Sequence, residues 1–238
     1  YLTAIIAFVA CGVAAVLRLL ANRRLVLGHS LHRISMLAKA YRMNEDRFDV
    51  GYLLSKVPAR IHSLSVEAAH SPDPSGNYSS PTDDAGPSRL RWMIQENAFF
   101  NASLYDECAD HVLRLISAPI ALLALFALVA LPVVGGATAS VALRAVLAVL
   151  SLAILYDQIE RWASWRAASR IMLDLENELA RFKSVPDHRV LLMFSNYQVA
   201  ISGSPAVEPR IYRRNRDKLN AGWKQRVATL NREWSDVV

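Results

Sequence analysis

The chain ends in a basic segment whose arginines could bind an anion. Arg213 and Arg214 follow Arg210 by three and four residues, and Arg216 comes two residues after Arg214. A guanidinium group presents donors that fit anionic oxygens such as those of phosphate. The commoner role of such a run is a basic surface that faces solvent or lipid. Both interpretations stay open from the residues alone.

A second group of residues could bind a metal or act in catalysis. It consists of Asp106, Cys108, Asp110 and His111. A cysteine and a histidine at helical spacing suggest a zinc site or a nucleophile, but zinc needs third and fourth ligands that the pattern does not provide. The sequence also lacks a glycine-rich phosphate loop, a GxSxG turn and an HExxH helix. We therefore predict no catalytic residue, no metal and no cofactor, and we do not expect an enzyme.

Arg144 is the one charged residue within the last long apolar run of the chain. From this depth its side chain could reach the headgroup region of a bilayer. Alternatively, it could face the interior of a helical bundle, where it would line a pore or pair with an acidic residue of another subunit. Small residues along the same run would let neighbouring helices approach closely. Arg144 is therefore our candidate for a pore-lining or bundle-facing residue.

The apolar runs of the chain have the length of membrane spans. Residues 115–156 contain two runs that flank an uncharged turn at Gly135 and Gly136, and residues 1–20 form a third run with Arg18 as its one charge. About 20 apolar residues in a helix cross a hydrocarbon core of about 30 Å. The sequence therefore predicts an all-α membrane protein with three transmembrane helices, extended by long amphipathic cytoplasmic helices.

The distribution of charge predicts the orientation of these helices. Basic residues follow residues 1–20 and 115–156, whereas no charged residue lies between Arg114 and Arg144. By the positive-inside rule, most of this multi-pass protein is then cytoplasmic. Tyr1 would lie on the outer side, so we expect a fourth helix before residue 1. The net charge of +6 favours anionic lipid over nucleic acid as a partner.

The remaining chain divides into cytoplasmic segments by composition. Apolar residues at helical spacing predict helical regions at 21–66, 91–114 and 157–238, whereas the Pro- and Ser-rich stretch 67–90 predicts a flexible linker. An apolar row in the last region predicts a helix–helix seam, formed within the chain against 91–114 or 25–41, or between subunits. Its members are Trp165, Ala168, Met172, Leu175, Leu179 and Phe182.

Residues that end and start helices divide this last region into separate helices. Pro186 and Asp187 are typical of a helix stop followed by a new helix start, after which VLLMFSNYQVAI predicts a short apolar helix. The stretch SGSPAVEP predicts a second break, so that a basic amphipathic helix follows from Arg210. Its apolar side is expected to contain Ile211, Tyr212, Leu219, Trp223, Val227 and Leu230.

The order of these parts resembles a bacterial protein family. The elements NEDRFDV and WMIQENAFFNASLYDEC, the pair of apolar runs and the tail PAVEPRIYRRNRDKLNAGW are similar in type and order to the SMODS-associating four-transmembrane effectors of antiphage systems. The chain departs from that family in lacking the first span, and its insert is richer in proline and serine.

This resemblance implies a growth-arrest effector that responds to a cyclic nucleotide made by a CD-NTase-type synthase. Such an effector would oligomerise in the inner membrane and make it leak when the cytosolic nucleotide changes the packing of the cytoplasmic helices. Under this hypothesis, Arg91, Arg210, Arg213 and Arg214 are candidates for contact with the phosphates of the ligand. Arg144 is the candidate for the pore.

Two other functions are compatible with the sequence. A non-conducting membrane scaffold could recruit a cytoplasmic protein partner through the same helices. A small transporter subunit is a third alternative. The apolar runs disfavour it, because they contain neither a broken midplane helix pair nor a buried acidic residue.

Overall fold

The computed structural model describes residues 2–43, 55, 85–130, 137–182 and 185–235. In chain order the described helices are α1 (Leu2–Tyr41), α2 (Pro87–Ala130), α3 (Ala137–Ala180), α4 (Asp187–Ser202) and α5 (Pro209–Ser235). Over these residues the helical part of the predicted fold class is confirmed. The predicted start of a short helix at Asp187 is also confirmed, and its first turn is closed by hydrogen bonds from the Arg189 and Val190 N–H groups to the Pro186 carbonyl.

The transmembrane part of the predicted fold class is wrong. Within the described ranges, no helix combines the length and the apolar character that a membrane crossing requires. A crossing needs about 20 residues with few or no charges. The described part of α2 ends at Ala130, 16 residues after Arg114, and Arg144 lies within the apolar run of α3. The same finding contradicts the predicted multi-pass location in the inner membrane.

The predicted linker and the predicted turn fall largely outside the described residues. This applies to residues 67–84 of the linker, to Gly135 and Gly136, and to the helix expected before residue 1. The end of the linker is described, and there the prediction is wrong because α2 already begins at Pro87.

Glycine and proline set the early start of α2. Gly86 has a φ of +127°, a region that favours glycine. Pro87 occupies the first helical position, where its missing N–H group is not needed. The Gly86 carbonyl accepts the first helical hydrogen bond, from the Leu90 N–H at 3.0 Å. Gly86 and Pro87 therefore start a helix, although the composition of the preceding sequence predicts a loop.

The chain divides into two compact units, of which the first comprises Tyr1–Glu96 and Ser184–Ser202. In this unit α1 packs against α4. The Gly86 N–H donates to the Ala40 carbonyl at 2.8 Å, which joins the start of α2 to the end of α1. The buried side chains of the unit include Met36, Leu90, Met93, Ile94, Val190, Met193 and Tyr197.

The second unit comprises Asn97–Lys183 and Gly203–Val238. The apolar row of α3 forms its seam within the chain, because Ser169 Oγ donates to the Ala102 carbonyl of α2 at 2.9 Å. The intramolecular alternative for this seam is thus confirmed, except that Phe182 is exposed. The buried side chains of the unit include Leu104, Tyr105, Trp165, Met172, Leu175, Leu179, Ile211, Leu219, Trp223 and Leu230.

Candidate anion-binding site

The first turns of α5 carry the arginines predicted to bind an anion. Arg210, Arg213 and Arg214 are exposed, and the first turn of the helix contains no acidic residue. Backbone N–H groups without helical partners give the N-terminus of a helix a partial positive charge. Three guanidinium groups add to that charge, whereas Glu208 directly before the helix and Glu107, which pairs with Arg214, offset part of it.

The opposite face of α5 holds the helix in the second unit. Its buried residues are Ile211, Asn215, Leu219, Trp223 and Leu230. The Trp223 ring lies 5.6 Å from the Phe99 ring of α2, measured between centroids. Because burial of large apolar side chains stabilises a fold, this face fixes α5 while the arginines stay exposed. Tyr212, predicted on the apolar side, is exposed instead.

Two ion pairs connect α5 to the other helices of the second unit, and they differ in burial. Arg214 Nη2 lies 3.0 Å from Glu107 Oε2 of α2, and the two side chains are 61% and 36% exposed. Arg226 donates to Glu176 of α3 from Nε at 3.0 Å and from Nη2 at 3.3 Å. The Glu176 side chain is only 5% exposed. The Arg226 pair is bidentate and shielded from water, so it is the stronger of the two.

A shallow cleft of about 190 Å³ adjoins Glu107 between α2 and α5. It is lined by Ser103, Asp106, Glu107, Asn215, Lys218 and Leu219. Lys218 supplies a cation at the fourth position after Arg214, which places both side chains on one side of α5. Ser103 and Asn215 supply polar groups. The cleft therefore combines charged, polar and apolar contacts next to the exposed arginines.

Three of the four residues that suggested a zinc site or a nucleophile have structural roles. Arg166 of α3 pairs with Asp106 and, at 2.5 Å, with Asp110. Cys108 is buried, and burial raises the pKa of its thiol. A thiol with a raised pKa is a poor nucleophile. Among the described residues, no group of His, Cys, Asp and Glu is arranged to hold a metal ion.

The segment that leads into α5 is held within the second unit by polar contacts that the sequence analysis missed. Ser204 Oγ donates to Tyr105 Oη at 2.9 Å, and Trp165 Nε1 donates to the Pro205 carbonyl at 3.0 Å. A buried phenol or indole usually requires a hydrogen-bond partner. The sequence could therefore have indicated that Tyr105 and Trp165 need hydrogen-bond partners when buried. It does not indicate which residues those partners are.

The carboxylates Glu107 and Glu176 were also missed. Glu176 lies next to Leu175 in the buried row of α3, and a carboxylate in such a row indicates a cationic partner. Glu107 carries no comparable signal, because acidic residues on exposed helix surfaces are common. Its role depends on the position of Arg214, which only the packing of α5 defines.

The other predicted site residues lie elsewhere. Arg91 belongs to the first unit and is 4% exposed. Burial lowers the pKa of Arg91 to about 10, and its guanidinium carbon lies 5.5 Å from the Trp92 ring centroid. Arg91 is therefore an interior residue rather than part of an exposed anion surface. Arg144 lies in α3, but its side chain is outside the described part of the chain.

The first unit contains two imidazoles near a buried phenol. His29 and His32 lie three residues apart on α1, and His32 Nε2 is 3.4 Å from Tyr197 Oη of α4. Tyr197 is fully buried. Burial lowers the pKa of both histidines, and the charges of His29 and Lys39 lower that of His32 further. Both imidazoles therefore favour the neutral form where α1 meets α4.

No protein-family model, curated protein or solved structure matches this chain. The family resemblance suggested by the order of its sequence elements therefore stays a prediction, and a functional proposal has to rest on the site itself.

Proposed function

We propose that this protein is a non-enzymatic effector that is regulated by a phosphate-bearing ligand bound at the first turns of α5. The observation that carries the proposal is the exposed group of Arg210, Arg213 and Arg214, here termed the arginine cluster, at the N-terminus of a helix whose opposite face is buried. A bound phosphate would accept hydrogen bonds from the guanidinium groups and interact favourably with the helix dipole.

The charge of α5 supports a binding role over a purely structural one. The helix contains eight Lys or Arg residues and two acidic residues. Cations stabilise a helix at its C-terminus and destabilise it at its N-terminus. Glu107 compensates Arg214 in the free protein. Arg210 and Arg213 still add positive charge at the unfavourable end of the helix, and a bound polyanion would reduce that repulsion. Residues that lower stability and serve binding are a recurrent feature of functional sites.

A cyclic oligonucleotide is the ligand class to test first. Arg210 and Arg214 are separated by about 6 Å along the helix axis, so the cluster could contact more than one phosphate of such a ligand. The family resemblance implies the same class and a role in antiphage defence. Membrane disruption, which that resemblance also implies, is not part of the proposal, because the described helices contain no membrane crossing.

The test compares two double variants with the same change in charge. Arg213→Ala with Arg214→Ala removes two guanidinium groups of the cluster, whereas Lys224→Ala with Arg232→Ala removes two exposed cations further along α5. Binding of a panel of cyclic di- and trinucleotides would be measured by isothermal titration calorimetry. A hydrogen bond to a charged group contributes about 1.5–3 kcal/mol, so the cluster variant should bind at least about tenfold more weakly.

The control variant should bind within about threefold of the wild type, since only its screened long-range charge differs. Circular dichroism would verify that all three proteins have the same helix content. The proposal fails if the wild-type protein binds no member of the panel, or if both double variants lose affinity equally.

A further inference from the structure

Glu107 already forms an ion pair with one arginine of the arginine cluster. Its Oε2 lies 3.0 Å from Arg214 Nη2, so it accepts a hydrogen bond that a ligand phosphate would accept. Carboxylate and phosphate oxygens compete for the same guanidinium donors. Arg213 differs, because its Nε donates to the Pro209 carbonyl of its own helix at 3.3 Å. Arg214 is thus the member of the cluster that connects the site to α2.

The Arg214–Glu107 pair has the properties of a contact that a ligand can displace. The side chains are 61% and 36% exposed, and water and salt screen such a pair so that it contributes little to stability. The Arg226–Glu176 pair is bidentate, and its carboxylate is 5% exposed. The second pair would therefore persist when the first one breaks.

The cleft beside Glu107 provides a second cation for the incoming ligand. Lys218 lines this cleft together with Glu107, and it follows Arg214 by one helical turn. A phosphate group that contacts both cations would take the position that the Glu107 carboxylate holds in the free protein. Ser103, on the wall of the same cleft, would be available as a neutral polar contact, whereas Asn215 Nδ2 already donates to the Ile211 carbonyl at 3.1 Å. Asp106 also lines the cleft, and Arg166 compensates its charge.

We propose that Glu107 is an internal competitor of the ligand: it binds Arg214 in the free protein, and a ligand phosphate displaces it. This inference rests on the proposed function, because it concerns the same arginine cluster. Displacement removes the ionic link between α2 and the first turns of α5. The contact between Phe99 and Trp223 and the Arg226–Glu176 pair keep the rest of α5 in place.

Three single variants separate direct competition from a general effect of charge. Glu107→Gln removes the carboxylate, and Glu107→Asp keeps the charge but withdraws it from Arg214 by one methylene group. Asp174→Asn removes an exposed carboxylate of α3 in the same unit. Binding of inorganic tripolyphosphate to the wild-type protein and to each variant would be measured by isothermal titration calorimetry, with circular dichroism to compare their folding.

Direct competition predicts that Glu107→Gln and Glu107→Asp each bind tripolyphosphate about two- to fivefold more tightly than the wild type. Asp174→Asn should stay close to the wild-type affinity. If Asp174→Asn binds as much more tightly as Glu107→Gln, the effect is one of general charge and the inference is overturned. Unchanged affinity in both Glu107 variants would overturn it as well. Absence of binding by all four proteins would instead refute the proposed phosphate site.

Discussion

Removal of the Arg226 guanidinium should destabilise the second unit far more than removal of the Arg214 guanidinium. Arg226→Met keeps much of the apolar side chain and deletes the charge opposite Glu176, whose side chain is 5% exposed. Breaking a buried ion pair by removing one partner costs about 3–5 kcal/mol. Because the Arg226 side chain is 29% exposed, we expect the lower end of this range, about 3 kcal/mol.

Arg214→Met is the matched control, since it makes the same change on the same helix at an exposed pair. Exposed pairs contribute about 0–1 kcal/mol, so its free energy of unfolding should decrease by less than about 1 kcal/mol. The assay is equilibrium unfolding in urea followed by tryptophan fluorescence, because Trp165 and Trp223 are buried in the second unit. Coincident transitions by fluorescence and circular dichroism would justify a two-state analysis.

Glu176→Gln completes a double-mutant cycle with Arg226→Met. In the double variant neither charge of the pair remains, so it should be more stable than Arg226→Met alone. A loss below about 1 kcal/mol for Arg226→Met, or a double variant whose loss equals the sum of the two single losses, would refute the conclusion that a buried ion pair holds α5 to α3.

Three further predictions concern two glycines and a histidine. Gly86→Ala should lower the melting temperature, because a φ of +127° strains a residue with a Cβ by about 1–3 kcal/mol. Gly222→Ala places a Cβ at 3.4 Å from the Phe99 ring and should be neutral or stabilising by up to about 1 kcal/mol, since alanine favours helix. Burial lowers the pKa of His32 from its ordinary value of 6.5. Below pH 6.5 the unfolded chain therefore binds more protons than the folded protein, and the free energy of unfolding should decrease as the pH is lowered. His32→Gln should reduce this pH dependence in urea unfolding.

Equal melting temperatures for Gly86→Ala and the wild type would contradict backbone strain at Gly86. For the histidine, an unfolding free energy that falls equally with pH in the wild type and in His32→Gln would contradict the role of His32. It would assign the effect to another group, such as His29, whose pKa burial also lowers.

Much of the helical order was predictable from the sequence, because it depends on local chemistry. The helix stop and start signals at Pro186 and Asp187 predicted a helix, and in the structure this helix begins at Asp187. Apolar spacing in α3 predicted a row that is buried from Trp165 to Leu179. The start of α2 was missed, because composition alone assigned Gly86 and Pro87 to a linker although both are also favourable at a helix start.

The membrane prediction failed for a different reason. A run of about 20 apolar residues has the length of a span, but the sequence does not fix where the helices that contain it begin and end. The described part of α2 ends at Ala130, and α3 begins at Ala137. Within the described residues the long helices contain no crossing. Outside these apolar runs, α2 and α3 carry charges that pair across the second unit, such as Arg166 with Asp110.

The arginine cluster follows from the sequence alone, since spacing along a helix is a local property. The carboxylates that face α5 do not follow from it. Glu107 is 107 positions away from Arg214, and Glu176 is 50 positions away from Arg226. Ion pairs at such separations exist only because the buried faces of α2, α3 and α5 pack together. Helix packing therefore determines which arginine is held by an exposed carboxylate and which by a buried one.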